Sequence, residues 1–225
     1  MADLAPTRAF PAPAGAPSPS AGVQVRERQG VGLATILIRR GQTEALATKL
    51  GLPTPSVGVA ATSPASAGEE KLPPLPQSGG GAPAGGGGGA MLPGGAPHLI
   101  QTPTLTLIPL GPATWLALTP HPAPDFAAAL AAHLAPAASV SDQSSAYALL
   151  HLTGPATPAL LAKGIFLDLD RFAPGHAAAT QLAHMSVLLW RDDTGFTLAC
   201  FRSYASSLWH WLTTNAAEFG LAHSD

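Results

Sequence analysis

Met185 to Gly220 reads MSVLLWRDDTGFTLACFRSYASSLWHWLTTNAAEFG, and within it strand, turn, strand, helix start and helix stop follow one another in order. Ser186 to Trp190 and Phe196 to Phe201 are rich in β-branched and aromatic residues, as strands are. Between them Arg191-Asp192-Asp193-Thr194-Gly195 supplies turn formers, including a glycine that tolerates positive φ. The stretch predicts a β-hairpin. Ser203 then offers a hydroxyl to the open N–H groups of a first helical turn, and Gly220 stands where a left-handed residue would close the helix. The helix is expected over about Tyr204 to Phe219.

At about 100° per residue, Tyr204, Leu208, Trp209, Trp211, Leu212, Ala216 and Phe219 fall within an arc of roughly 160°. Ser206, Ser207, His210, Thr213, Thr214, Ala217 and Glu218 occupy the rest. So wide a stripe suits a deeply seated core helix. It also suits a helix whose flank, at Trp209, contacts another chain, because tryptophan is enriched in interface hot spots.

Upstream, Val31 to Ile38 is an expected strand, Arg39-Arg40-Gly41 a turn, and Gln42 to Leu50 a short helix closed by Gly51. Leu105 to Ile108 and Thr114 to Leu118 form two strands across Pro109 to Pro112. A helix follows from Asp125 to Leu134, stopped before Pro136. Ala138 to Asp142 and Tyr147 to Leu152 look like a second hairpin, Gly154-Pro155 opens a helix to about Lys163, and Phe166 to Phe172 is a connection. Single helices thus separate antiparallel hairpins, which predicts an α+β fold.

Two regions break this rhythm. Residues 1–22 are Ala, Pro and Ser with little periodicity, the composition of a disordered tail. Residues 53–97 contain SPASAGEEKLPPLPQ and a polyglycine run, a flexible linker by composition. This second region is either an insertion or a domain boundary. Insertion is favoured, because the βα unit before it, of about 30 residues, is too small to fold alone. The expectation is one domain over 23–220, interrupted at 53–97, with a frayed tail at 221–225.

Composition narrows the function. Apolar residues make up 46% of the chain, enough for a core, while charged residues are 11%, far below the globular norm of about 25%. A permanently assembled subunit could carry so uncharged a surface. The net charge of −2 gives no basic footprint for nucleic acid or anionic lipid. A lone cysteine, Cys200, allows neither an internal disulfide nor a cysteine-built metal site. No secretory leader pattern and no apolar run near 18 residues is present, so a cytoplasmic, non-membrane protein is expected.

The residues suggest no chemistry of their own. The eight histidines lack metal-ligand spacing. Asp168 and Asp170 could pair for acid–base work but fit turn capping better, and Asp192-Asp193 is a turn. Ser203 lacks a nucleophile elbow. The polyglycine run lacks the Lys-Ser/Thr ending of a phosphate loop. Lys163 and Arg202 are the cations within the informative stretches, available to a partner carboxylate.

Leu152 to Gly175, LTGPATPALLAKGIFLDLDRFAPG, and Leu189 to Gly220 together resemble the gamma subunits of heterotetrameric sarcosine oxidases. Gly154-Pro155, Leu161-Ala162-Lys163-Gly164, Asp168-Leu169, Arg202-Ser203-Tyr204, Leu208-Trp209 and Trp211-Leu212 carry the likeness. The resemblance implies a domain similar to the folate-binding, aminomethyltransferase-like fold. It also implies an accessory, non-catalytic part of a complex that demethylates sarcosine oxidatively to glycine, with tetrahydrofolate and oxygen. FAD, FMN, NAD, zinc and tetrahydrofolate would then sit on other subunits, and the partners would be alpha, beta and delta chains. Arg202, Tyr204, Trp209 and Trp211 are the expected partner contacts. The small subunit of N-methylglutamate dehydrogenase and a free-standing folate-binding protein are the alternatives.

Overall fold

The computed structural model describes residues 8–11, 21–52, 98–111 and 113–224. Their elements run β1 Val23–Glu27, β2 Gly32–Ile38, α1 Thr43–Lys49, β3 Ile100–Gln101, β4 Thr106–Gly111, β5 Thr114–Thr119, α2 Phe126–Leu134 and β6 Ala138–Asp142. There follow β7 Tyr147–Thr153, α3 Thr157–Ala162, β8 Ala177–Leu182, β9 Met185–Arg191, β10 Phe196–Phe201, a 3₁₀ turn Arg202–Tyr204, α4 Ala205–Asn215 and β11 Leu221–Ser224. The α+β class with helices set between antiparallel strands is the one the sequence predicts.

The strands form two sheets, ordered β11-β1-β7-β10-β9-β8 and β3-β4-β5-β2-β6. Alternation assigns each side chain to a layer. In β7, Ala148, Leu150 and Leu152 face α3 and α4, where Leu160, Leu161, Leu208 and Leu212 cover them. Leu149 points the other way. It meets Leu188, Trp190 and Ala199 from its own sheet and Leu33, Leu116 and Leu118 from the second. The outer face of that second sheet, with Ile36, Trp115 and Ala117, lies under Leu46 of α1 and Leu130 and Leu134 of α2. The result is helices, sheet, sheet, helices. Strands buried on both faces read as continuous apolar runs, which is why YALLHLT and MSVLLWR show weak alternation.

The expected hairpin of Ala138–Asp142 with Tyr147–Leu152 does not exist. β6 pairs with β2 in the smaller sheet, whereas β7 lies between β1 and β10 in the larger one. Asp142 and Ser144 steer the chain across: Asp142 Oδ1 accepts from Ser144 N at 2.9 Å, and Ser144 Oγ accepts from Leu33 N at 3.1 Å. Bonds from the Ser144 N–H and hydroxyl hold Asp142's pKa below the ordinary carboxylate value, outweighing a small opposing effect of desolvation. β6 is the half-exposed edge strand and β7 the buried interior one.

α4 is also shorter than expected, ending at Asn215. Thr213 Oγ1 donates to Trp209 O, and Asn215 Nδ2 donates to Trp211 O. Such side-chain bonds compete with the backbone ladder at a helix end. Ser203 does not cap; it lies in the 3₁₀ turn, and Tyr204 occupies the N-cap position without a side-chain bond. Gly220 does take positive φ, at 73°, turning the chain into β11.

Both terminal expectations need correction where residues are described. Residues 221–224 are a strand, not a frayed tail, pairing parallel with β1 from Val23↔Leu221 to Arg26↔Ser224. Within the expected tail, Phe10 is 3% exposed and packs against Trp209, and Ala9 N donates to Glu27 Oε1 at 2.8 Å. The segment 53–97, including the polyglycine run, lies outside the described residues. Because Ala222 is buried at 5% exposure, Ala222→Glu should lower the unfolding free energy by more than about 2 kcal/mol. Urea denaturation checks this, and a frayed tail would show no change.

Candidate functional site

The four expected contact residues divide into two pairs. Trp209 is held between Phe10, at 6.2 Å between ring centroids, and His223 of β11, at 4.7 Å. Trp211 lies against Gly164, where a Cβ would come within 2.6 Å of its Cζ2. Both indoles are therefore engaged inside the chain, half-buried over the helical core. Lys163 joins the same corner. It donates to Asn215 O at 2.8 Å, pairs with Glu218 and stands 4.7 Å over the Phe219 ring. The motif pieces Lys163-Gly164 and Trp211-Leu212, far apart in sequence, thus serve one packing joint.

Arg202 and Tyr204 lie at the other end of α4, on the turn leaving β10. Arg202 N donates to Ala146 O at 2.8 Å, which ties this turn to the start of β7. Tyr204 is 43% exposed and its strand-end neighbour Phe201 45%. Phe201 is the register partner of Tyr147, and their rings stack at 4.9 Å. Phe166, on the loop after α3, is 89% exposed. The two-sheet core explains this surface. The inner face of the six-stranded sheet extends past the smaller sheet, so Tyr147, Ala179, Leu188 and Phe201 line an open groove of about 470 Å³ with Phe166 at its side. No lining residue carries a charge at neutral pH. Tyr147's hydroxyl pKa is raised by burial, so it stays protonated there.

The sequence singles out Tyr204, which is exposed but does not line the groove, and does not single out Tyr147, Phe166 or Phe201, which do. Phe201 had a signal, as an aromatic at the last position of a strand just before a turn.

A second feature sits between the sheets. His151 interrupts the apolar run of β7 and is buried with Thr197 as its cross-strand partner. Thr194's hydroxyl donates to Asp192 Oδ1, so His151 Nε2–H donates to Thr194 Oγ1 at 3.1 Å. Nδ1 then accepts from Thr197 Oγ1 at 3.1 Å. Burial lowers the His151 pKa; Asp192 opposes this, and Arg28 and Arg26 add to it. The ring is a neutral strut fixing the β9–β10 turn to β7. Burial raises the Asp192 pKa, but bonds from Thr194 Oγ1, Thr194 N and Gly195 N, with His151, outweigh it and the net shift is downward. Asp192 is thus the turn-former expected.

The remaining candidates have structural places. Asp168 Oδ1 accepts from Arg171 N at 3.3 Å and its carboxylate faces Arg171 Nε at 3.4 Å, the arrangement of a turn cap. His98 and His176 meet edge-to-face at 4.4 Å where two segments bridge. Ser203 and His210 are exposed. Among the described residues no cluster of His, Cys, Asp or Glu could hold a metal ion, and no helix is long and apolar enough to cross a membrane.

Two outcomes follow from these environments. A histidine whose pKa is lowered by folding loses stabilisation as pH falls below its free value of about 6.5, until the folded pKa is reached. Wild type should therefore lose stability on acidification from about 6.5 downward, and His151→Leu should flatten that slope in urea titrations at stepped pH. Burial pushes the Cys200 thiol up to about 11. A thiol reagent at pH 8 should leave it unmodified in the native chain and label it on unfolding.

No protein-family model matches the chain. The sarcosine oxidase subunit gamma of Corynebacterium sp. (strain P-1) is 36% identical over 114 residues, which cover 49% of this chain and 56% of that subunit. The subunit gamma of an Arthrobacter species is 34% identical over 113 residues, again 49% and 56%. The chain thus spans a little over half the length of the curated relatives it matches. Among solved structures, the heterotetrameric sarcosine oxidase from Corynebacterium sp. U-96, in complex with pyrrole 2-carboxylate, superposes with a TM-score of 0.63 and 22% identity. The match covers 92% of this chain and 90% of that one. The glycine cleavage system aminomethyltransferase T from Bartonella henselae gives 0.56 and 13% identity, covering 90% of this chain and 48% of the other. These two matches show the fold, as the sequence led us to expect. In sequence, about half of the chain is similar to the gamma subunit of sarcosine oxidase, at roughly one-third identity.

Proposed function

We propose that this chain is the gamma-type accessory subunit of a cytoplasmic heterotetrameric sarcosine oxidase. In this reading the complex converts sarcosine to glycine, passing the one-carbon unit to tetrahydrofolate and electrons to oxygen. FAD, FMN, NAD, zinc and tetrahydrofolate belong to the alpha, beta and delta chains, and this chain has no active site of its own. It is one domain, with 53–97 as an insertion between α1 and β3.

The observation that carries the reading is the aromatic groove on the inner face of the larger sheet, on a chain whose curated relatives are named as subunits. Interface centres are depleted of charge and enriched in aromatic residues. The stacked Tyr147 and Phe201, with Phe166 and Tyr204 beside them, have that composition. We assign this groove to a flavin-bearing subunit of the complex, with Arg202 at its margin. Trp209 and Trp211, packed against Phe10, His223 and Gly164, are assigned to holding α4 in place and not to the partner contact.

Affinity purification of the tagged full chain from its own cells should yield a yellow complex with larger flavoprotein partners that turns over sarcosine. Turnover of N-methylglutamate in place of sarcosine would reassign the complex. A colourless monomer at high concentration would overturn the subunit reading. Phe201→Glu, at an exposed site, should reduce the partner retained by about tenfold or more while leaving the circular dichroism spectrum unchanged. Undiminished retention would move the interface elsewhere.

A further inference from the structure

The inner face of the larger sheet changes character at β1. Val23 and Val25 are fully buried on the helix side, so Gln24 and Arg26 point to the opposite face, with Arg28 two residues on. Arg26 and Arg28, joined by Arg8, line a cleft of about 420 Å³ that Gln29 and Ser224 help to close. The whole chain has 11 Lys and Arg in 225 residues, so three guanidinium groups around one cleft is a marked local concentration.

Among the described residues, the acidic groups nearby accept hydrogen bonds from other donors, and Glu27, which also lines the cleft, sets one negative charge against its three arginines. Glu27 Oε1 accepts from Ala9 N and Oε2 from Gln29 Nε2, each at 2.8 Å. Asp192 accepts from Thr194 and Gly195 in its turn. Among the described residues, the side chains of Arg26 and Arg28 make no hydrogen bond or ion pair of their own. Burial works against the Arg28 charge, Asp192 works for it, and Arg26 works against it again. A guanidinium does not relieve that cost by losing its proton.

We propose that this cleft binds a small anion of two or more charges, bearing carboxylate or phosphate groups, between Arg26 and Arg28. Guanidinium groups bind both kinds of oxyanion through paired N–H donors. An anion there would remove the repulsion between the two arginines, and Ser224, the register partner of Arg26, offers a further hydroxyl. The volume is that of a small-ligand site.

The full-length chain is titrated with inorganic pyrophosphate in one arm and citrate in the other, each against sodium chloride at equal ionic strength. Calorimetry and thermal unfolding read the result. The expected outcome is saturable heat and a rise in Tm in at least one arm, with affinity falling tenfold or more in Arg26→Gln and Arg28→Gln and holding in Arg40→Gln. Pyrophosphate alone would assign a phosphate ligand, citrate alone a carboxylate one, and both a general oxyanion site. Because Arg28 is half-buried, Arg26→Gln at its exposed position decides the matter. Responses no larger than those to sodium chloride, or binding that survives Arg26→Gln, would overturn the proposal.

Discussion

Burial of the larger sheet on both faces is the constraint on which the rest of the structure depends. β7, β9 and β10 must satisfy helices on one side and a second sheet on the other, so nearly every side chain in them is apolar. Polar residues then have few places to go. His151 and Thr197 appear inside only as a closed hydrogen-bonded chain, since an unpaired polar group at that depth is costly. The exposed surfaces follow from the same constraint. Where the smaller sheet no longer reaches, inward-facing side chains become a groove at one place and an arginine-lined cleft at another.

The C-terminal hairpin and following helix were legible because their signals are local. Turn residues, strand composition and an amphipathic arc need no knowledge of distant partners. α1 and α2 were found within a residue or so for the same reason. β6 and β7 were adjacent and strand-like, yet adjacency does not decide pairing when a second sheet is available. ASVSD is half polar and YALLHLT almost wholly apolar, a contrast that fits different sheets without deciding it, since β8 and β9 also differ in burial and do pair. β1 and β11 were missed because each is short and finds its partner at the opposite end of the sequence.

The expected contact residues teach a related lesson. Hydropathy placed Trp209 and Trp211 on the apolar arc correctly, but it could not say whether neighbouring chain covers them. Trp209 is covered by Phe10 and His223, from segments at either end. Trp211 is covered because Gly164 lacks a side chain. Tyr204 stays outside. Phe201 and Tyr147 became visible as a pair only when the register of β7 and β10 was known, since stacking joins residues more than fifty positions apart.

The pairing of β1 with β11 bears on how the protein is made. β1 leaves the ribosome well before its outer partner, which comes from residues 221–224. Its inner partner, β7, also emerges late. Loop closure over nearly the whole chain must precede those contacts, which slows folding in proceeding from local to distant pairings. The larger sheet therefore completes only after synthesis has passed residue 224, with β7, β9 and β10 as its earliest self-sufficient nucleus. Until then the outer backbone edge of β1 has no strand to pair with, an open edge of the kind that invites pairing with another chain.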